Sequence, residues 1–283
     1  MLTLFKVSNL TEREARQEKN PVLRPSGARG RRHARKFFRR IRILISYFHT
    51  PASTTNIQRL NQMCDDTAIQ KNVCLDQILA ERRSHRMFRP EFCSEEEIRR
   101  ILHAGLLAPY AAAAIGNHNN YFRRFFVMRR GSESMNAIIP VVMRQVQKMA
   151  AELETGMRAD PSLREKAAGF VRRLTLFQEK GVIPGIGTAP YYIIVAERRG
   201  YPPVELQSLA HCLENMWLKA TALGLGFQLV SVTSQMSSDP VFCAIIGLPP
   251  GEWELMGCAV GYPADELSPS IRPPVEDVTV WLA

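Results

Sequence analysis

The stretch that decides the fold reads ELQSLAHCLENMWLKATALGLGFQLV and spans residues 205–230. Its first part carries apolar side chains at positions i, i+3, i+4, i+7, i+10, i+11 and i+14, the spacing of one face of an α-helix. These positions are Leu206, Leu209, Ala210, Leu213, Met216, Trp217 and Ala220. Gly224 is suited to end this helix, because glycine readily adopts the left-handed backbone that follows many helices. The apolar run of residues 227–232 then predicts a strand.

On either side of this stretch, helical and strand patterns mix without a fixed period. Residues 74–81 predict a short helix, and Ser94 with Glu97 forms a capping box that begins a helix ending before Pro109. Residues 136–180 predict an exposed or capping hairpin of two helices separated by Asp160-Pro161, and Asp239 caps a helix that runs to residue 246. Further strands are predicted at residues 125–128, 189–196 and 254–260. This irregular mixture favours an α+β sandwich over a doubly wound sheet.

The net charge of +10 is confined to the N-terminal part of the 283-residue chain. Residues 1–50 contain 13 Lys or Arg and 3 acidic residues, which leaves 24 basic and 24 acidic residues in the remainder. We therefore expect residues 1–70 to form a basic, disordered leader and linker, including residues 51–56, and residues 71–283 to form the folded domain. Residues 37–48 are basic and apolar, so contact with an anionic membrane is the alternative, as is a true start at Met63. The neutral remainder predicts no binding of nucleic acid.

The six cysteines include no CxxC pair, which argues against a zinc ribbon or an iron–sulfur cluster of familiar spacing. Cys212 and Cys258 lie in apolar runs and are interpreted as small core residues. Reduced structural thiols indicate a cytoplasmic protein, and the absence of an apolar run of about 18 residues predicts no transmembrane helix. We expect no metal site.

A candidate phosphate clamp is the segment Arg82-Arg83-Ser84-His85-Arg86, because guanidinium groups form bidentate, charge-assisted bonds with phosphate oxygens. A solvated basic turn is the alternative. Gly224-Leu225-Gly226 could let a planar ligand approach the backbone, although a helix C-cap explains Gly224 equally well. Arg272 lies in a proline-rich tail that is predicted to be extended, from which it could reach a phosphate.

In this order the motifs resemble the nitroreductase family of FMN enzymes, over about residues 73–283. The family's Arg-x-Ser-x-Arg/Lys-x-Phe pattern is matched by Arg82, Ser84, Arg86 and Phe88. The remaining matches are Ala108-Pro109, Ala222 to Gly226, Ile246 to Gly251, Gly261-Tyr262-Pro263 and the closing segment from Arg272 to Val278.

The resemblance implies a mainly antiparallel central sheet flanked by helices, and a homodimer with two active sites at the subunit interface. It implies that the FMN phosphate and ribityl chain are held by Arg82, Ser84, Arg86 and Arg272. Arg83 would lie beside the flavin, and Leu229, Val230 and Ser231 would pass the reactive edge of its ring. Asn117 and Asn119 would come from the partner subunit.

Three features depart from the family pattern. Ser270 stands where the family often has Lys, and the Asn-x-Gln-Pro-Trp pattern has become Asn117-His118-Asn119-Asn120-Tyr121. In that loop His118 is the candidate for a substrate contact, whereas His211 is expected in the core or at an interface. Residues 131–187 are long for the family, and we expect this helical insertion to cover the substrate pocket.

The function implied is that of an FMN-dependent oxidoreductase. It would pass electrons from NADH or NADPH through the flavin to nitro compounds, quinones or similar electron-poor acceptors, and the flavin rather than a catalytic side chain would carry the chemistry. Three alternatives stay open at this point. They are an enzyme of the same fold that cleaves flavin or removes halogens reductively, a non-catalytic flavin-binding protein, and an adaptor that works through residues 1–50.

Overall fold

The computed structural model describes residues 54–110 and 121–282, with only the backbone described for residues 54–66. The chain divides into two units, Met1–Lys71 and Asn72–Ala283. Residues 1–53, which include the predicted membrane-contact segment, lie outside the described residues.

Helix α1 spans Thr54–Glu81 and so begins well before the predicted start at Cys74. The predicted linker at residues 51–56 is therefore wrong for its last three residues, which are helical. The prediction relied on the polar composition of these residues. Residues 57–73 contain neither proline nor glycine, so no residue of that stretch interrupts a helix.

The second unit contains the elements that position the site. In chain order they are α2 (Glu95–Leu106), β1 (Arg123–Arg129), α3 (Glu133–Ala159), α4 (Pro161–Lys180), β2 (Tyr191–Arg198), α5 (Glu205–Ala222), β3 (Gly226–Val230), α6 (Pro240–Ile246) and β4 (Trp253–Gly261). Short 3₁₀ helices cover Ser231–Met236 and Val275–Val278. Ser231 and Val232, which were predicted to continue the strand, therefore lie in the first of these.

The strands form one sheet in the order β1-β2-β4-β3, with every neighbouring pair antiparallel. Alternate residues of β2 face two separate cores: Tyr192, Ile194 and Ala196 belong to one, and Tyr191, Ile193 and Val195 to the other. Successive side chains of a strand point to opposite faces, so the sheet is buried between two layers. The prediction of an α+β fold with a mainly antiparallel sheet flanked by helices is confirmed.

On one face α5 packs with α2 against the sheet. Its buried side includes Leu209, Leu213, Met216, Trp217 and Ala220, as the spacing predicted. The other two predicted positions of this stripe, Leu206 and Ala210, are exposed. The residues buried in their place are Glu205, Ser208 and Cys212. The buried face of α5 is therefore rotated relative to the predicted stripe and includes polar side chains. The capping box of Ser94 and Glu97 begins α2 as predicted.

The opposite face is covered by α3, with α4 packed beside it. Of the two predicted alternatives for this hairpin, exposed or capping, the exposed one is wrong for α3, which buries Met135, Ile138, Val142 and Val146 in the core. These residues are spaced i, i+3, i+7 and i+11, so the charged residues occupy the other side of an amphipathic helix. The separation of the two helices at Asp160-Pro161 is as predicted.

Cys212 and Cys258 are fully buried, as expected of small core residues. Over the described ranges no helix is long and apolar enough to cross a membrane.

Candidate functional site

The predicted clamp segment runs alongside the sheet after α1 ends. Ser84 forms a parallel bridge with Phe227 of β3, and the His85 N–H donates to the Phe227 carbonyl over 3.1 Å. Further along, the Arg89 N–H donates to the carbonyl of Tyr262 over 2.9 Å. Residues 84–89 are thus held between β3 and the chain that leaves β4, which fixes the segment at the end of the sheet.

The two glycines of the Gly-Leu-Gly motif have structural roles. Gly224 has φ +70° and ends α5, as the C-cap interpretation predicted. A Cβ on Gly226 would lie 3.0 Å from His85 Cβ and 3.2 Å from Phe88 Cε1. A close approach that requires glycine at position 226 is therefore that of residues 85–88, and the interpretation that the motif admits a planar ligand stays a prediction.

The arginines of the clamp differ in what their guanidinium groups contact. Arg82 stacks over the Trp217 ring at 4.4 Å and lies 3.7 Å from the Glu214 carboxylate. Arg83 donates to the carbonyls of Ala80, Arg82 and Ser268, which ties the clamp to the C-terminal segment. Arg86 is exposed, and its Nη1 donates to the Ser84 carbonyl over a long distance of 3.4 Å. Of the three, Arg86 lines a cavity.

The cavity has a volume of about 200 Å³ and lies between the clamp, the end of β3 and helices α3 and α4. Its lining includes Arg86 together with Leu229, Val230 and Ser231, so the structure brings these four predicted site residues together. Val146 and Met149 of α3 and Phe170 and Phe177 of α4 supply apolar walls. Helices of the predicted insertion thus border the same space as the clamp.

Gln228 is a lining residue that sequence reasoning missed. Its side chain is buried, and its Nε2 donates to the Pro184 carbonyl over 3.2 Å. Its Oε1 is also buried but has no hydrogen-bond partner among the described residues. A buried acceptor without a partner costs free energy, so this atom points to a donor that a ligand would bring. The signal was present as one amide within the apolar run of residues 227–232.

His85 forms a second unpredicted contact, between its Nδ1 and the Asp265 carboxylate at 2.7 Å. The Ala264 N–H beside it donates to the Met87 carbonyl, which adds to the contacts between residues 82–89 and the segment after β4. Burial works to raise the pKa of Asp265, but the hydrogen bond and charge of His85 and two backbone N–H groups outweigh it. The pKa of Asp265 is lowered as a result.

Among the described residues, the predicted site residues Arg82, Arg83, Ser84 and Arg272 do not line the cavity. Arg272 is exposed and donates to the carbonyl of its own neighbour, Ile271. Asn117, His118 and Asn119 lie outside the described residues. His211 is exposed on α5, so the expectation of a core position is wrong, because this helix buries the neighbouring face.

The charged side chains that line the cavity are positive. Among the residues that the structure describes, Arg86 and Arg173 are its charged lining residues, and no Asp or Glu lines it. Within the described ranges no three His, Cys, Asp or Glu side chains are grouped so as to hold a metal ion. The arrangement is suited to an anionic ligand with a flat apolar part.

Solved structures resemble this fold over most of their length. A nitroreductase with bound FMN from Bacteroides fragilis is 18% identical, with 74% of this chain and 98% of that chain covered and a TM-score of 0.50. A BluB-like flavoprotein from Clostridium difficile is 22% identical, with 74% and 99% covered and a TM-score of 0.53. The FMN and NADPH-dependent nitroreductase NfnB from Sphigopyxis sp. strain HMH is 20% identical, with 74% and 99% covered and a TM-score of 0.51.

No curated protein sequence matches the chain. The model of the nitroreductase family, in contrast, matches residues 79–262, a range that includes the clamp, the cavity and all four strands. On this match the chain belongs to the nitroreductase family.

Proposed function

We propose that the protein is an FMN-dependent oxidoreductase. It passes electrons from NADH or NADPH to nitro compounds, quinones or similar electron-poor acceptors. The observation that carries the proposal is the cavity in which Arg86 of the clamp meets residues 228–232. Family membership and the FMN named in the B. fragilis structure support the choice of cofactor.

The residues around the cavity fit FMN in charge and shape. Arg86 offers guanidinium donors to a phosphate, and Ser84 offers a hydroxyl from the same segment. Because the donors of Arg82 and Arg83 already contact protein groups, these two residues would contribute charge and hold the segment in place. The buried Gln228 Oε1 would accept a hydrogen bond from an N–H of the flavin ring.

When bound, FMN would supply the redox chemistry that links oxidation of the nicotinamide to reduction of the acceptor. The protein itself would bind and orient the cofactor and shield the reacting groups from water. Residues 229–231 would border the ring, and Met149, Phe170 and Phe177 would keep water from the reacting groups. Such shielding strengthens electrostatic interactions inside the site.

The active unit in this proposal is a homodimer. The C-terminal segment leaves large apolar side chains open to solvent: Ile271, Val280, Trp281 and Leu282 are each more than 80% exposed. A cavity of about 200 Å³ is also smaller than the roughly 300–1,000 Å³ of ligand sites. A second copy that covers the segment and adds Asn117 and Asn119 would complete the site. Light scattering after size-exclusion chromatography should give twice the chain mass of 32.0 kDa; a monomer that binds FMN tightly would contradict this.

The visible spectrum of the purified protein tests the function first. We expect a yellow protein that releases FMN on heating and is bleached by NADH or NADPH without oxygen. Substitution of Arg86 by Met should weaken FMN binding about tenfold, the worth of a charge-assisted hydrogen bond. Arg99→Met, on an exposed position of α2, should leave it unchanged. A protein that takes up no FMN would refute the proposal.

A further inference from the structure

One face of α4 lines the cavity, and an arginine lies in the middle of that face. Phe170, Arg173, Leu174 and Phe177 all line the space and are spaced i, i+3, i+4 and i+7. This spacing places them on one side of the helix. The face therefore presents two aromatic rings with a guanidinium group between them in sequence.

Arg173 makes no hydrogen bond or ion pair with any described residue. It is also exposed, and no acidic residue lines the cavity to neutralise it. The adjacent Arg172 is exposed too, but it is not a lining residue, and its Nη2 lies over Gly169 on its own helix. Arg172 and Arg173 thus carry the same charge, but of these two neighbours Arg173 lines the cavity.

Arg86 and Arg173 reach the cavity from different elements. The proposed function assigns Arg86 to the cofactor phosphate, which leaves the charge of Arg173 unassigned. A cation that borders a partly apolar space attracts an anion more strongly than the same cation in water, because the effective dielectric constant is lower. Its planar fork also matches a carboxylate or a phosphate in a bidentate manner.

We propose that Arg173 determines substrate specificity, selecting a flat aromatic compound that carries a negatively charged group. This inference rests on the proposed function. Phe170 and Phe177 contact the ring while Arg173 pairs with the charge. Two compounds combine an aromatic ring with a negatively charged group. One is an aromatic acid that accepts the electrons, and the other is the nicotinamide donor with its phosphates.

Equilibrium binding to the FMN-loaded protein tests the selection without turnover. Benzoate and benzamide are close in size and differ in charge, and calorimetry measures both. We expect the wild-type protein to bind benzoate about tenfold more tightly, the strength of one charge-assisted hydrogen bond. Arg173→Met should abolish this preference, and the matched control Arg172→Met should retain it.

Steady-state kinetics then identify the source of the anion. If the acceptor carries it, Arg173→Met raises the KM for 4-nitrobenzoate about tenfold and leaves that for 4-nitrobenzamide unchanged. If the donor carries it, the KM for NADPH or NADH rises instead. Either result supports the role of Arg173.

The inference is overturned if Arg173→Met and Arg172→Met behave alike in both experiments. Measurement of FMN uptake keeps this failure separate from failure of the proposed function. A variant that loads FMN normally but shows no change in charge preference removes the role of Arg173 alone. A wild-type protein that takes up no FMN refutes the proposed function and, with it, this inference.

Discussion

Arginine side chains occupy two contrasting environments on the two faces of the sheet. Arg123 of β1 is fully buried, and its donors bind the Glu197 carboxylate, the Gly105 carbonyl and the Ser208 hydroxyl. On the cavity side, Arg86 and Arg173 border open space without an acidic partner.

The contrast separates a structural charge from one available to a ligand. A buried ion must be paired, since its desolvation otherwise costs several kcal/mol, and Arg123 is paired by α2, β2 and α5. A cation at the rim of a cavity keeps part of its hydration and can exchange it for an anion. A substitution should therefore affect stability on one face and ligand binding on the other.

The largest effect should follow the loss of Arg123. Arg123→Met leaves the Glu197 carboxylate buried with only Ser208 to donate to it, so unfolding should become easier by about 3–5 kcal/mol, as for other broken buried pairs. Urea denaturation measures the change. Arg173→Met, on the opposite face, should stay within about 0.5 kcal/mol.

The pH dependence of the stability lost in Arg123→Met tests whether the buried charge of Glu197 is the cause. Burial raises the pKa of Glu197, and removing Arg123 should raise it further. A carboxyl with a raised folded-state pKa costs stability above its unfolded pKa of about 4.3 and costs nothing below it. The difference between variant and wild type should therefore shrink as the pH falls through the raised folded-state pKa values, and the charge-dependent part should be gone by about pH 4. A pH-independent difference would indicate lost packing instead.

The next effect concerns the clamp that borders the cavity. In Gly226→Ala the new Cβ meets His85 Cβ at 3.0 Å, Phe88 Cε1 at 3.2 Å and the Gly261 carbonyl oxygen at 3.3 Å. Overpacking of this kind costs about 1–3 kcal/mol, and moving the segment should also weaken FMN binding. Gly169→Ala is the control: its nearest neighbour is Arg172 Nη2 at 4.0 Å, so α4 should gain up to about 1 kcal/mol. Unchanged FMN binding in Gly226→Ala would show that the clamp does not hold the cofactor.

A smaller effect is expected at the pair of His85 and Asp265. Because the pKa of Asp265 is lowered in the folded protein, its contribution is present above the ordinary aspartate pKa of about 3.9 and is lost as the pH falls through the lower folded value. Asp265→Asn should thus cost about 1 kcal/mol near neutral pH and little at pH 3. Denaturation at both pH values measures it. A loss of equal size at both would show that the carboxylate charge is not involved.

The two environments also show what the sequence could predict. The spacing within α5, the capping box at Ser94 and the order of short motifs were enough for the α+β fold and the family. The helix spacing and the capping box are local in sequence, and each of the ordered motifs is only a few residues long. The positions of Arg86 and residues 229–231 at one cavity followed from the motif order.

Pairings between distant residues could not be predicted in this way. Asp265 is 180 positions from His85, and Glu197 is 74 from Arg123, so no local pattern relates the partners. The burial of α3 was missed for a similar reason, since its charged residues mask an apolar stripe that only the sheet reveals. Whether a polar group is satisfied depends on the packing of several elements at once.

Gln228 gives the smallest expected change in stability and the sharpest test of the contrast. Gln228→Met removes the bond to the Pro184 carbonyl, worth about 1 kcal/mol, but it also removes a buried unpaired oxygen whose cost is about 0.5–2 kcal/mol. Stability should therefore change by no more than about 1 kcal/mol in urea denaturation, while FMN affinity, read from quenching of flavin fluorescence, should fall. Gln235→Met, at an exposed amide that accepts from Gln145, should change neither. If Gln228→Met instead lost about 3 kcal/mol and bound FMN normally, Gln228 would be a structural residue like Arg123, and the buried acceptor would no longer point to a ligand.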